Sequence, residues 1–127
     1  MVGPFCFLDL LFGGDLVVPQ DAVELVRRWA RDKTPAEFRD RMLVEVEERE
    51  RSLTVFECSL MPDLDGGMHW LRVPNARLLY AKGRNEWTLY LIDSNDSARR
   101  YPGLQPSSEI QDLLDEIDDD PTCIFWG

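Results

Sequence analysis

Two apolar runs in the middle of the chain, within residues 75–92, are separated by the polar segment 82–86. Apolar runs that flank a short polar break predict a β-hairpin, in which Gly83 or Asn85 is free to take a positive φ. Both faces of the second run are apolar, which predicts a central strand. Side chains alternate along a strand, so each run presents one apolar set to a common face. These sets are Ala76, Leu78 and Tyr80, then Trp87, Leu89 and Leu91.

An earlier stretch of the chain also alternates with a period of two. Residues 43–48 predict a half-buried strand whose Val44 and Val46 side chains point inward. A charged turn follows, and residues 52–59 are rich in the β-branched and aromatic residues that suit a returning strand. The two segments are therefore predicted to form a second hairpin.

The remaining non-helical segments are assigned by their turn residues. Residues 61–68 contain proline, aspartate and glycine and are predicted to be a loop. Residues 70–74 are predicted to be an extended approach to the third strand. Residues 98–101 form a short fifth strand, which Pro102 ends.

Two helices are predicted before the first strand. The first opens at Asp21, which has capping-box spacing to Glu24, and its apolar side chains recur at helical intervals. The second starts at Thr34 and is short, extending to Arg41. The residues expected to face inward are Val23, Val26, Trp29 and Ala30 on the first helix, and Phe38 and Met42 on the second.

A third helix is predicted near the end of the chain, capped by Ser107 or Ser108. Three acids at 118–120 end it. They oppose the helix dipole, so the stability of the isolated helix does not explain them. Residues 124–127 are apolar and are expected to dock on the core. The inward stripe of the helix is Ile110, Leu113, Leu114 and Ile117.

These elements predict a single α+β domain over residues 21–127, since 127 residues fit one domain. Its architecture is a five-stranded antiparallel meander sheet, with the N-terminal helices and the C-terminal helix packed on one face. Residues 1–20 are an apolar N-terminal extension. That extension lacks the positive start of a signal peptide, and Asp9 interrupts it. The sequence contains no run of 18 apolar residues, so no membrane span is predicted.

The charge is uneven along the chain. The net charge is −10, yet residues 72–101 carry six bases and three acids, while residues 102–127 carry seven acids and no base. Cys6, Cys58 and Cys123 are odd in number and widely spaced, which predicts reduced, mostly buried thiols in a cytoplasmic protein. No cofactor or metal site is predicted from these residues.

Several segments together resemble a known family. They are residues 26–29, 35–40 and 51–55, the hairpin that contains 86–90, and the closing segment 114–127, which ends Asp-Pro-Thr-Cys-Ile-Phe-Trp-Gly. The chain resembles an uncharacterised, largely actinobacterial family catalogued as domain of unknown function 3024, over about residues 22–127. The resemblance implies no reaction, cofactor or catalytic residue. Family members typically differ at Asp119 and Cys123, so it implies neither a cysteine nucleophile nor an essential cluster of three aspartates.

An enzymatic alternative depends on one histidine. His69 with Asp63 and Asp65, or the acids at 118–120, could serve a small acid-base or metal-dependent hydrolase or nuclease. The competing interpretation is that His69 is a loop histidine with no partner, and that residues 63–67 are a turn. The pattern favours a binding domain over an enzyme.

The preferred hypothesis is a small binding domain with a basic sheet segment that contacts an acidic protein or nucleic acid. Neighbouring aromatics, Trp70, Tyr80, Trp87, Tyr90 and Tyr101, are expected to pack in the sheet before they serve recognition. A third hypothesis is self-association into a homodimer through the apolar tail or the N-terminal segment. The predicted binding residues are Arg72, Arg77, Lys82, Arg84, Arg99 and Arg100.

Overall fold

The computed structural model describes residues 18–93, 95, 97–120 and 125. Five strands follow one another in an antiparallel sheet of order β1-β2-β3-β4-β5, with one helix before the sheet and one after it. The elements are α1 (Gln20–Asp32), a 3-10 turn (Ala36–Phe38), β1 (Met42–Glu48), β2 (Ser52–Pro62), β3 (Met68–Ala81), β4 (Glu86–Ile92), β5 (Ala98–Arg100) and α2 (Ile110–Asp119). The predicted α+β meander is confirmed.

The central hairpin has the register that alternation predicts. Ala76 lies opposite Leu91, Leu78 opposite Leu89, and Tyr80 opposite Trp87. Asn85 takes the positive φ in the turn, at 51°. The strand faces read from the sequence are therefore confirmed, including the central position of β4 between β3 and β5.

One apolar cluster joins both helices to one face of the sheet. Val23 and Val26 of α1 and the whole inward stripe of α2 are buried in it, together with Leu53 and Leu78. Val44 and Val46 pack against its margin, as predicted. Val18 is also buried in the cluster, just before α1. None of the described helices is long and apolar enough to cross a membrane.

The helix starts differ from the sequence prediction. α1 begins one residue early, at Gln20, and the Asp21 carboxylate accepts a hydrogen bond from the Ala22 backbone nitrogen. The second helix shrinks to a single 3-10 turn. Phe38 and Met42 remain exposed, so their assignment as inward residues is wrong. The short turn cannot carry them over the sheet.

The start of α2 also differs from the prediction. Glu109 occupies the position before α2, and the Ser107 hydroxyl accepts a hydrogen bond from the Glu109 backbone nitrogen rather than capping the helix itself.

The end of α2 is held in place by contacts of its last acid. Asp120 takes a left-handed φ of 42°, and its carboxylate accepts from the backbone nitrogen of Phe125. Phe125 is buried against Tyr101, with ring centroids 5.4 Å apart. Residues 1–17, 121–124 and 126–127 lie outside the described part, including Trp126.

β2 and β3 are longer than predicted. The expected loop 61–68 is only the turn 63–67, and the approach 70–74 belongs to β3. β1 pairs with β2 only as far as Ser59, and β4 pairs with β3 only from Ala76 onward. Residues 59–73 therefore project as a two-stranded ribbon, which we call the arm.

Candidate binding face

The face of the sheet opposite α1 and α2 carries no helix among the described residues; we call it the open face. Cross-strand register places one row of side chains on it. Glu47 lies opposite Thr54, Thr54 opposite Arg77, Arg77 opposite Tyr90, and Tyr90 opposite Arg100. Strands are about 4.8 Å apart, so Arg77 and Arg100 flank Tyr90 at a spacing of about 10 Å.

Arg72 belongs to the same face two rows further along β3, where it lies within the arm and opposite Cys58. Its guanidinium lies 3.5 Å from the centroid of the Phe56 ring, and its Nε donates to Glu45 at 3.1 Å. Both charged side chains are nearly half exposed, so their ion pair contributes little, about 0–1 kcal/mol. Stacking holds Arg72 in place while its charge stays available to solvent.

A β-bulge interrupts the open face beside Arg72. The register shifts between Val55 and Phe56, so that Val55 faces Ala76 while Phe56 faces Pro74. Asn75 is the extra residue. Its side-chain Nδ2 is buried and has no hydrogen-bond partner among the described residues. A buried unsatisfied donor costs about 1–3 kcal/mol, which marks this amide for explanation.

Asn75 lines a cleft of about 580 Å³. Arg49 and Arg72 stand at its walls, together with Glu47 and Asp93. The Arg49 guanidinium donates to Glu47 at 2.7 Å and lowers the pKa of that carboxyl below its usual range. The cleft is thus lined by two guanidinium groups and by the residue that carries this unpaired donor.

Arg77 and Arg100 are less neutralised than Arg72. The Arg77 Nε donates to the Thr54 hydroxyl at 3.0 Å. Within the described residues, no carboxylate lies at ion-pair distance from either guanidinium. Their charges are therefore available to an anion that approaches the open face.

The other three predicted binding residues lie elsewhere. Arg99 pairs with Leu91, whose face is the one that the helices cover. Lys82 and Arg84 lie in the β3–β4 turn, where the Arg84 Nε donates to Glu86 at 3.2 Å. The structure gathers Arg72, Arg77 and Arg100 on one surface and separates the rest from them.

The aromatic residues serve mainly as packing, as expected. Trp87 and Tyr101 are buried, and Tyr80 packs on Trp87 with centroids 4.8 Å apart. The Tyr101 hydroxyl donates to Glu116 at 2.7 Å. Trp70, on the arm, is the exception at 45% exposure. The open face therefore lacks, in its described part, a row of exposed rings on which bases could stack.

His69 is not the unpartnered loop histidine of the sequence interpretation. β3 begins at Met68, which places His69 opposite Met61 and brings its Nδ1 into contact with the Asp63 carboxylate. The turn itself forms as predicted, with the Asp65 side chain accepting from the Gly67 nitrogen. The imidazole is about half exposed, and the pair lines neither the open-face cleft nor the cleft near Cys58.

The acids at 118–120 have structural partners. Asp118 accepts from the Trp29 indole nitrogen and contacts the Lys33 ammonium, so it ties α2 to α1. Asp120 holds Phe125. No group of three or more metal-ligating side chains occurs among the described residues. These contacts explain why Asp118 and Asp120 stand at the end of α2, where the helix dipole alone disfavours acids.

Cys58 is a buried free thiol beside a cleft of about 310 Å³. Burial, reinforced by the nearby Glu45 carboxylate, raises the pKa of Cys58 to about 11. A thiol in that state is a poor nucleophile at neutral pH. Cys6 and Cys123 lie outside the described residues.

Two features of this surface were missed from the sequence. Arg49 was assigned only to a turn, and Asn75 only to a strand. Pro74 was the available signal, because proline inside a sheet is confined to edges and bulges. A proline four residues before the inward Leu78 therefore indicated an irregular β3.

Comparisons with known proteins agree with the motifs. Neither a curated protein nor a solved structure matches the chain. A family model described as a domain of unknown function (DUF3024) matches residues 16–127, which includes every described element. The chain therefore belongs to the DUF3024 family.

Proposed function

We propose that this chain is a binding domain whose open face contacts an acidic segment of a partner protein. The observation that carries the proposal is the buried Nδ2 donor of Asn75, unpartnered among the described residues, in a cleft flanked by Arg49 and Arg72. A carboxylate or a backbone carbonyl would satisfy that donor. The guanidinium groups favour the carboxylate.

The row of side chains beside the cleft adds further cationic groups for an acidic ligand. Arg77 and Arg100 flank Tyr90 on the open face, so an extended acidic segment could follow the row from the bulge to β5. The ion pair of Arg72 with Glu45 is exposed and weak, so a ligand carboxylate can replace Glu45 at small cost.

A protein segment suits this face better than nucleic acid. Binding of single strands uses exposed aromatic rings, and the described rings near the row are buried or half-buried. The net charge of −10 also repels a polyanion at long range. A short acidic peptide carries less charge and needs only the local arginines. The reduced, buried Cys58 agrees with a cytoplasmic setting for this encounter.

A direct test is fluorescence anisotropy with a labelled oligoglutamate peptide at 50 mM salt. The chain should bind it, and the double variant Arg77→Gln/Arg100→Gln should weaken binding about tenfold, since two charge-assisted contacts disappear. Arg99→Gln is the matched control. It removes one charge from the neighbouring residue on the opposite face and should weaken binding less than twofold.

Three results would refute the proposal. One is an absence of peptide binding at low salt. Another is an equal loss in the Arg99→Gln control, which would indicate a nonspecific charge effect. The third is tighter binding of a single-stranded oligonucleotide than of the peptide at the same salt concentration, which would assign the face to nucleic acid.

A further inference from the structure

The arm holds most of the exposed apolar surface of the described chain. Among the described residues, six of the eight large hydrophobic side chains that are exposed lie on it, and they occupy both of its faces. Scattered single exposures are ordinary, but a contiguous set marks an interaction surface. The six are Met61, Leu64, Met68, Trp70, Leu71 and Val73.

The arm also has a free strand edge. β3 pairs with β2 along residues 68–73, and β4 joins β3 only from Ala76. The other edge of residues 68–73 has no neighbouring strand among the described residues. Such an edge presents unpaired backbone donors and acceptors and accepts another strand readily.

We propose that this edge pairs with the same edge of a second copy of the chain across a two-fold axis. Charge favours a second copy at this place. Each chain carries −10 overall, yet residues 66–73 contain Arg72 and no acid, and Asp63 at the tip contacts His69. Two copies can therefore approach along residues 66–73 without bringing acids together.

The order of residues is complementary to itself. Antiparallel pairing about an axis at Leu71 sets each Trp70 opposite the partner's Arg72. Both side chains are about half exposed, so two cation–π contacts can form, each worth about 0.5–1 kcal/mol. Pro74, which would face the partner's Met68, lacks a backbone donor and limits the pairing to residues 69–73. Two-fold pairing uses both free edges and closes the assembly at two copies.

Light scattering coupled to size exclusion tests this pairing on the full chain, from micromolar to millimolar concentration. The mass should rise from the 14.7 kDa of one chain towards twice that value. Leu71→Glu places two carboxylates at the axis and should raise the dissociation constant at least tenfold. Trp70→Glu is a second variant for the case that Leu71→Glu does not fold.

Phe38→Glu is the matched control, because Phe38 is exposed to a similar degree outside the arm. It should leave the dissociation constant unchanged. Hydrogen exchange supplies an independent readout, since the amides of residues 69–73 that face the free edge should slow as the dimer forms. A constant monomer mass, a dimer insensitive to both arm variants, or arm amides that exchange equally at all concentrations would overturn the proposal. Arg72 is shared by the two sites, but the peptide test changes Arg77 and Arg100, which lie outside the paired edge, so failure of one proposal is distinguishable from failure of the other.

Discussion

β2 and β3 each run through two regions with different surroundings. In the sheet centre, Leu53 and Leu78 are completely buried between the helices and the neighbouring strands. In the arm, Leu71 and Val73 of the same β3 strand are 45% and 42% exposed. The residue types are alike, and the alternation is continuous apart from the bulge. The cover differs: β4 joins β3 only from Ala76, β1 pairs with β2 only as far as Ser59, and no residue of the arm belongs to the apolar cluster under the helices.

The difference shows that strand patterning reports which face a residue takes, and not whether anything covers that face. Burial of an apolar side chain depends on elements that arrive from distant parts of the sequence. The bulge at Asn75 marks the border between the two regions. The two proposed contacts follow from this division, one at the border and one beyond it.

The difference in burial between the sheet centre and the arm can be tested by replacing one leucine in each region. Leu78→Ala should lower the free energy of unfolding by about 3 kcal/mol, because it leaves a cavity in a packed core. Leu71→Ala should change it by less than about 0.5 kcal/mol in the monomer. Urea denaturation at low protein concentration measures both. Similar losses in the two variants would mean that the arm is covered in solution.

Cys58 lies near the end of the β1–β2 pairing, and its buried thiol should make the free energy of unfolding depend on pH. Its folded pKa is about 11 against an ordinary 9.0, so its contribution to stability is fully present below pH 9 and is lost as pH rises towards 11. The loss should approach about 3 kcal/mol more than in Cys58→Ala, since one pKa unit corresponds to about 1.4 kcal/mol. Urea denaturation at several pH values compares the two chains. Parallel curves would show that the thiol is solvated.

Asn75→Leu changes the bulge residue at the border between the two regions, and it should raise rather than lower the free energy of unfolding. The substitution removes a buried donor that lacks a partner, so the free energy of unfolding should rise by about 1 kcal/mol. The same variant should lose affinity for the acidic peptide. Asn85→Leu would be a poor control because of its positive φ, so Asn95→Leu, at an exposed loop position, serves instead. A destabilised Asn75→Leu would mean that the amide already has a partner.

Much of the fold was predictable because its signals are local. The stripe Ile110, Leu113, Leu114 and Ile117 predicted the buried face of α2, and the alternation in 75–92 predicted both faces of the central hairpin. The turn residues led to a loop prediction that was too long. Pro62 and Gly67 suggested an eight-residue loop, whereas strand pairing continues to Pro62 and Met68 at the tip of the arm. Pairing between strands is a tertiary effect that composition does not report.

The candidate site was only half predictable for a related reason. Basic residues were counted along the sequence, but side chains on a strand alternate between faces, so Arg99 and Arg100 separate onto opposite sides. The role of Asn75 needed the bulge, and the bulge arises from the register of β2 against β3. Arg49 reaches the cleft from another hairpin, a proximity that no local pattern encodes.

The most direct test of the open face as a binding surface is a residue-resolved NMR titration of the chain with the oligoglutamate peptide. We predict shifts at the Asn75 side-chain amide and at the backbone of Arg77, Tyr90 and Arg100, with little change in α1 and α2. Shifts confined to the β3–β4 turn at Lys82 and Arg84, or spread evenly over every basic residue, would contradict it.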